Sequence, residues 1–130
     1  MLFQLDPASR VPVYQQLSNQ VKLQIATGKL KPGDRLPAVR ELAQQVLVNP
    51  NTIQKAYTEL ANAGLLHSRK GLGVFISELR PTLSREERTR RSVEATDQYL
   101  TGMLILGLAP EQVRELVAAR ARRFEGEAKR

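Results

Sequence analysis

The run Val39-Arg40-Glu41-Leu42-Ala43-Gln44-Gln45-Val46-Leu47-Val48-Asn49-Pro50-Asn51-Thr52-Ile53-Gln54-Lys55-Ala56-Tyr57 holds two helical patterns with almost nothing between them. From about Ala38 to Gln45, a short helix sets Val39, Leu42, Ala43 and Val46 on one face. At Asn49-Pro50 a second helix begins. Asn is a favoured N-cap because its side-chain oxygen accepts from a free backbone N–H, and proline suits the next position, where no donor is needed. Ile53, Ala56, Tyr57 and Leu60 then share a face until Gly64. Two helices joined by a few residues form a helix-turn-helix, whose second helix can lie in the DNA major groove.

The flanks extend this pattern. Upstream, a helix follows Pro12, with Tyr14, Leu17, Val21 and Ile25 at helical spacing and Gly28 at its end. Leu30-Lys31-Pro32-Gly33-Asp34-Arg35-Leu36-Pro37 reads as a tight connection. Downstream, Leu65–Arg69 and Val74–Ser77 are short enough to be strands. Lys70-Gly71-Leu72-Gly73 joins them with the glycines that a hairpin turn requires. The expected architecture is mainly α with a small β-hairpin: a winged helix-turn-helix over residues 1–79, followed by a helical dimerisation element over 80–130.

The second part opens on a linker, Arg80-Pro81-Thr82-Leu83. Ser84-Arg85-Glu86-Glu87 has the form of a capping box and starts a long helix with Val93, Leu100, Met103 and Leu104 on its apolar side and Thr96 among them. Gly107 ends that helix, Pro110 opens another carrying Val113, Leu116, Val117 and Phe124, and the polar tail from Glu125 is expected to fray. A helix pair this small cannot form an independent ligand-binding domain. Leu100, Met103, Leu104, Leu116, Val117 and Phe124 are therefore expected to pack within and between protomers of a homodimer. Coupling two half-sites raises affinity without new chemistry.

Composition narrows the function. The 130 residues carry 20 Lys and Arg against 13 Asp and Glu, a net charge of +7. That balance favours a polyanionic partner. It is shared by both parts, +4 over residues 1–79 and +3 over 80–130. No cysteine is present, so disulfides and thiolate metal sites are excluded. His67 is the only histidine, and no paired-acid set, nucleophile–base set or phosphate-binding loop appears. No cofactor, no metal and no enzymatic activity are expected. The first residues lack the basic and apolar runs of a signal peptide, and no stretch reaches the ~18 apolar residues of a membrane span, so a cytoplasmic protein without membrane contact is expected.

Since Ile53, Ala56, Tyr57 and Leu60 face the protein, Asn51, Gln54, Lys55 and Thr58 must face outward. Amides pair with an adenine edge, and lysine reaches guanine or phosphate. Asn51, Thr52 and Gln54, in the first turn and a half, are the candidates for reading bases, with Lys55 beside them. Arg69, Lys70 and Gly71 form the wing tip, where the backbone can approach a phosphate or the minor groove. Arg35 and Arg40 flank the short helix as candidate phosphate clamps. The arginines Arg88, Arg90, Arg91, Arg120, Arg122 and Arg123 read as a solvated face, with added DNA contacts the less favoured alternative.

Pro12-Val13-Tyr14-Gln15-Gln16-Leu17, the run Gly28 to Ala43, Val48 to Tyr57, and Arg69-Lys70-Gly71-Leu72-Gly73-Val74-Phe75 together resemble the GntR family of bacterial regulators. The short helical C-terminal part is similar to its YtrA subfamily. The resemblance implies a dimer bound to double-stranded DNA at a roughly palindromic, inverted-repeat operator, repressing transcription and often released by a small-molecule effector. By position it carries DNA contacts onto Arg40, Asn49, Asn51, Thr52, Gln54, Lys70 and Gly71. Ala38 departs from the family's usual Ser, and Leu47 stands where Gly is common, so a bulky residue takes a positive-φ turn at a cost of about 1 kcal/mol or more. Two other readings remain open: an architectural binder indifferent to sequence, suggested by the diffuse charge, and a protein-interaction adaptor. An effector pocket near Tyr99 or the linker is also open, with no residue set that specifies it.

Overall fold

The computed structural model describes residues 3–78 and 83–128. In chain order the elements are α1 (Val13–Ala26), β1 (Arg35–Leu36), α2 (Val39–Val46), α3 (Pro50–Asn62), β2 (Leu66–Arg69), β3 (Gly73–Ile76), α4 (Arg85–Ile105) and α5 (Pro110–Ala128). They fall into two compact units, one within residues 1–79 and one within 80–130. The expected linker residues Arg80, Pro81 and Thr82 lie outside the described residues.

In the first unit, α1, α2 and α3 enclose one apolar core built from Leu17, Val21, Leu42, Ile53, Leu60 and Ile76, all almost completely buried. The hairpin expected from the sequence is wider by one strand. Arg35 and Leu36 pair antiparallel with Phe75 and Val74, giving a three-stranded sheet in the order β1-β3-β2. Two residues are too few to show strand periodicity, and the flanking prolines pointed to a turn. The register of β3 with β2 sets Leu66 opposite Ile76 and His67 opposite Phe75. Leu66 and Ile76 therefore face the core, while His67 and Phe75 share the other face.

The N-terminal segment also belongs to this core. Phe3 is buried, and two glutamines of α1 clip the segment in place. Gln20 Oε1 accepts from the Gln4 backbone N–H at 3.0 Å, and Gln20 Nε2 donates to the Gln4 carbonyl at 2.6 Å. Gln16 does the same for Asp6, at 2.8 Å for each bond. Alternate residues of an extended chain thus meet side chains four apart on a helix, and the amides supply what a neighbouring strand would.

In the second unit, Ser84 caps α4 by accepting from the Glu87 N–H at 3.1 Å. The Glu87 carboxylate is taken by Arg90 and Arg91, which hold it below the usual carboxylate range. Gly107, at φ 93°, ends α4 as expected. Gln112 Oε1 accepts from the Ala109 N–H at 2.7 Å ahead of Pro110. α5 continues through Ala128, beyond the point where fraying was expected. Glu, Ala and Arg all favour helix, and the single Gly126 does not end it. Val113 is buried and Met103 half-buried, whereas Leu100, Leu104, Leu116, Val117 and Phe124 are exposed.

Candidate nucleic-acid interface

α3 starts as its sequence dictates. Asn49 Oδ1 accepts from the Asn51 N–H at 2.8 Å, and Pro50 takes the first helical position. Ile53, Ala56, Tyr57 and Leu60 are buried, which leaves Asn51, Gln54, Lys55 and Thr58 exposed and Thr52 half-buried. The outward row expected from periodicity is present. Tyr57 locks the two helices together: its hydroxyl donates to the Pro37 carbonyl at 2.7 Å, just before α2. Burial, and secondarily the charge of Glu41, raise its pKa far above the ordinary tyrosine value. It stays a neutral donor throughout the range where the protein works.

Between α2 and α3, Leu47 takes the left-handed conformation, φ 55° and ψ 49°, as its place in the turn required. Its side chain is 90% exposed. Ala38 stands at the start of α2 without a side-chain cap, as expected from the missing hydroxyl, and Arg40 is exposed in the first turn.

The side chains of α3 are less free than the sequence suggests. Gln54 Nε2 donates to Thr58 Oγ1 at 3.1 Å, which leaves its carbonyl oxygen and one N–H for another partner. The Lys55 ammonium lies 3.9 Å from the ring centroid of Tyr14 on α1, a cation–π contact that draws the charge toward the α1 edge. Nothing in the periodicity of α3 alone could reveal this partner, which comes from another helix.

The wing carries Arg69, Lys70 and Gly71, all exposed. Gly71 has φ 77°, and Leu72 N–H closes the turn on the Arg69 carbonyl at 2.9 Å. The Arg69 guanidinium sits 4.9 Å over Phe75, whose ring stacks against His67. His67 in turn bonds Ser77 Oγ through Nδ1 at 2.9 Å, so the lone histidine is a wing-sheet residue. Arg35 lies on β1, just ahead of α2, and its Nε donates to the Leu72 carbonyl at 3.3 Å. A crevice of about 190 Å³ separates α3 from the wing, with Gln54 and Thr58 on one side and His67 and Ser68 on the other. The candidate residues thus fall into three groups: the first turns of α3, Arg40 on α2, and the wing with Arg35. Tyr14, against Lys55, and Gly73, against Arg35, join them through contacts visible only in three dimensions. Among the described residues no group of three His, Asp or Glu side chains could hold a metal, and no helix is long and apolar enough to cross a membrane.

Comparison with known proteins agrees with this geometry. The profile of "Bacterial regulatory proteins, gntR family" matches residues 13–76, from the start of α1 to the end of β3. The HTH-type transcriptional repressor YtrA of Bacillus subtilis is 37% identical over 116 residues, 89% of each chain. The crystal structure of a transcriptional antiterminator from Listeria monocytogenes superposes with a TM-score of 0.80 at 28% identity, covering 95% of this chain and 92% of that one. The DNA-binding domain of AraR in complex with operator ORX1 superposes with a TM-score of 0.50 at 38% identity, over 58% of this chain and 92% of that one. The repressor match extends well beyond the winged domain into the C-terminal helices. The chain belongs to the GntR family of bacterial regulatory proteins and stands with its YtrA subfamily.

Proposed function

We propose that the chain is a sequence-specific transcription repressor that binds an inverted-repeat operator as a homodimer in the cytoplasm. One observation carries the reading: the exposed row Asn51, Gln54, Lys55 and Thr58 runs along α3, its Gln54 and Thr58 lining a crevice with the wing strands, on a helix fixed by the Asn49 cap and the Tyr57 bond. Amide and hydroxyl side chains on the first turns suit base edges, and the exposed cations Arg40, Arg69 and Lys70 suit phosphates on either side. Lys55, held over Tyr14, suits a phosphate better than a base. The AraR–operator complex, whose domain superposes on this one, supports the same use of the fold.

Homodimerisation is supported by the second unit. Val93, Leu100 and Leu104 on α4, and Leu116, Val117 and Phe124 on α5, remain exposed within one chain. Val93, Thr96, Leu100 and Met103 also follow the alternating four- and three-residue spacing of a helix–helix seam. A second copy would cover them and set two winged domains on two half-sites.

Gel-shift titrations at fixed salt test the proposal. Asn51→Ala is expected to weaken operator binding about tenfold or more while leaving binding to unrelated duplex within about twofold. Equal loss on both DNAs removes base reading and favours the architectural alternative.

A further inference from the structure

The wing tip is braced from β1 by a residue that sequence spacing assigned to a phosphate. Arg35 extends along the sheet from its position opposite Phe75, and its Nε donates to the Leu72 carbonyl across 37 residues of sequence. Leu72 lies in the turn that follows Lys70 and Gly71. The next residue, Gly73, is required twice over. It has φ 118°, and a Cβ built on it would sit 2.9 Å from Arg35 Nε. The backbone of β3 therefore passes directly beneath the arginine. The base of this arrangement is rigid, since Gly33 N–H donates to the Ile76 carbonyl at 2.8 Å and Ile76 N–H to the Asp34 carbonyl at 2.9 Å.

A two-strand hairpin ending in an exposed turn is mobile, because its tip has few packed neighbours. Arg35 supplies the tip with a third attachment, from a strand that stops two residues after it begins. We infer that Arg35 is a positioning residue for DNA binding: it acts through the wing, holding Arg69, Lys70 and Gly71 in one orientation, and Gly73 is kept free of a side chain to admit it. This rests on the DNA-binding reading above. It explains why an exposed arginine spends its Nε–H on a backbone carbonyl.

A double-mutant cycle on the full chain separates bracing from direct contact. Arg35→Met keeps the stem and removes the donors. In the wild-type background it is expected to weaken duplex binding about tenfold. In an Arg69→Met/Lys70→Met background, where the wing has nothing to deliver, the same change is expected to cost less than about twofold. Gly73→Ala sets a Cβ against the guanidinium while every charge remains, and because φ 118° also strains an alanine there, the change is made in both the wild-type and the Arg35→Met backgrounds. It is expected to weaken binding severalfold in the wild-type background and clearly less with Arg35→Met, where only the backbone strain is left. Circular dichroism spectra of all variants should match wild type. Equal losses from Arg35→Met in both backgrounds, with the salt slope falling by the ~0.9 of one phosphate contact, would make Arg35 an ordinary phosphate ligand and overturn the inference. Wild-type affinity in Gly73→Ala would overturn it too. Failure of the wild-type chain to bind duplex at all would instead remove the underlying function.

Discussion

Replacing Leu47 by glycine should stabilise the protein, even though it deletes a large apolar side chain. Leu47 holds φ 55° and ψ 49°, where the Cβ of an L-residue crowds the following carbonyl at a cost of about 1–2 kcal/mol. The side chain offsets little of that, being 90% exposed. Glycine removes the crowding but brings extra freedom to the unfolded chain, which costs roughly 0.5–1 kcal/mol. The net gain is about 0.5–1 kcal/mol, or roughly 2–8 °C in Tm for a unit of this size. The turn itself needs no change, since the Leu47 N–H and the Val48 N–H both close on the Ala43 carbonyl, which glycine allows. Thermal melts of the full chain at one fixed concentration measure the effect, with Leu47→Ala as control. Alanine keeps the Cβ, so its Tm should stay within about 3 °C of wild type. A glycine variant that melts at or below wild type, or an alanine variant that falls well below it, would refute the reasoning and show that the leucine side chain is packed against something.

Phe3→Ala should destabilise the first unit by about 3–5 kcal/mol in urea unfolding, because Phe3 fills the core beneath the clips of Gln16 and Gln20; a cost below about 1 kcal/mol would show the segment to be dispensable. Ser18→Ala should raise stability by about 1 kcal/mol, since Ser18 Oγ is buried without a hydrogen-bond partner among the described residues; a loss would reveal a partner for the hydroxyl. Tyr57→Phe should cost about 1 kcal/mol at neutral pH through the lost bond to Pro37. That gap should narrow above pH 10: the unfolded tyrosine ionises near its ordinary value of 10.0 while the folded one does not, so wild type alone loses this contribution as pH rises. A gap that stays constant to about pH 11 would contradict the assigned burial.

The parts legible in the sequence were those whose physics is local. Asn49-Pro50 and Ser84 announce helix starts because capping involves a residue and its near neighbours, and both caps form. The strained turn at Leu47 was expected only through the family resemblance, which places glycine there, and its positive φ is found. The parts that were not legible depend on partners distant in the chain. β1 is two residues long and exists only through β3. Phe3 enters the core through amides of α1 that read as ordinary polar helix positions. Lys55 belonged by periodicity to the outward row of α3, and Tyr14 draws its ammonium aside. Arg35 was legible as a neighbour of α2, but its bond to the Leu72 carbonyl, reached through the pairing of β1 with β3, was not.

The account stands or falls on whether two copies of the exposed face of α3 read bases together. Selection of bound sequences from random duplex DNA by the full chain tests this directly. The account predicts enrichment of an inverted repeat, with half-sites spaced by about one helical turn or a multiple of it, and loss of that enrichment in Asn51→Ala. Recovery of no common sequence, or of a single asymmetric site bound by one copy, would contradict it.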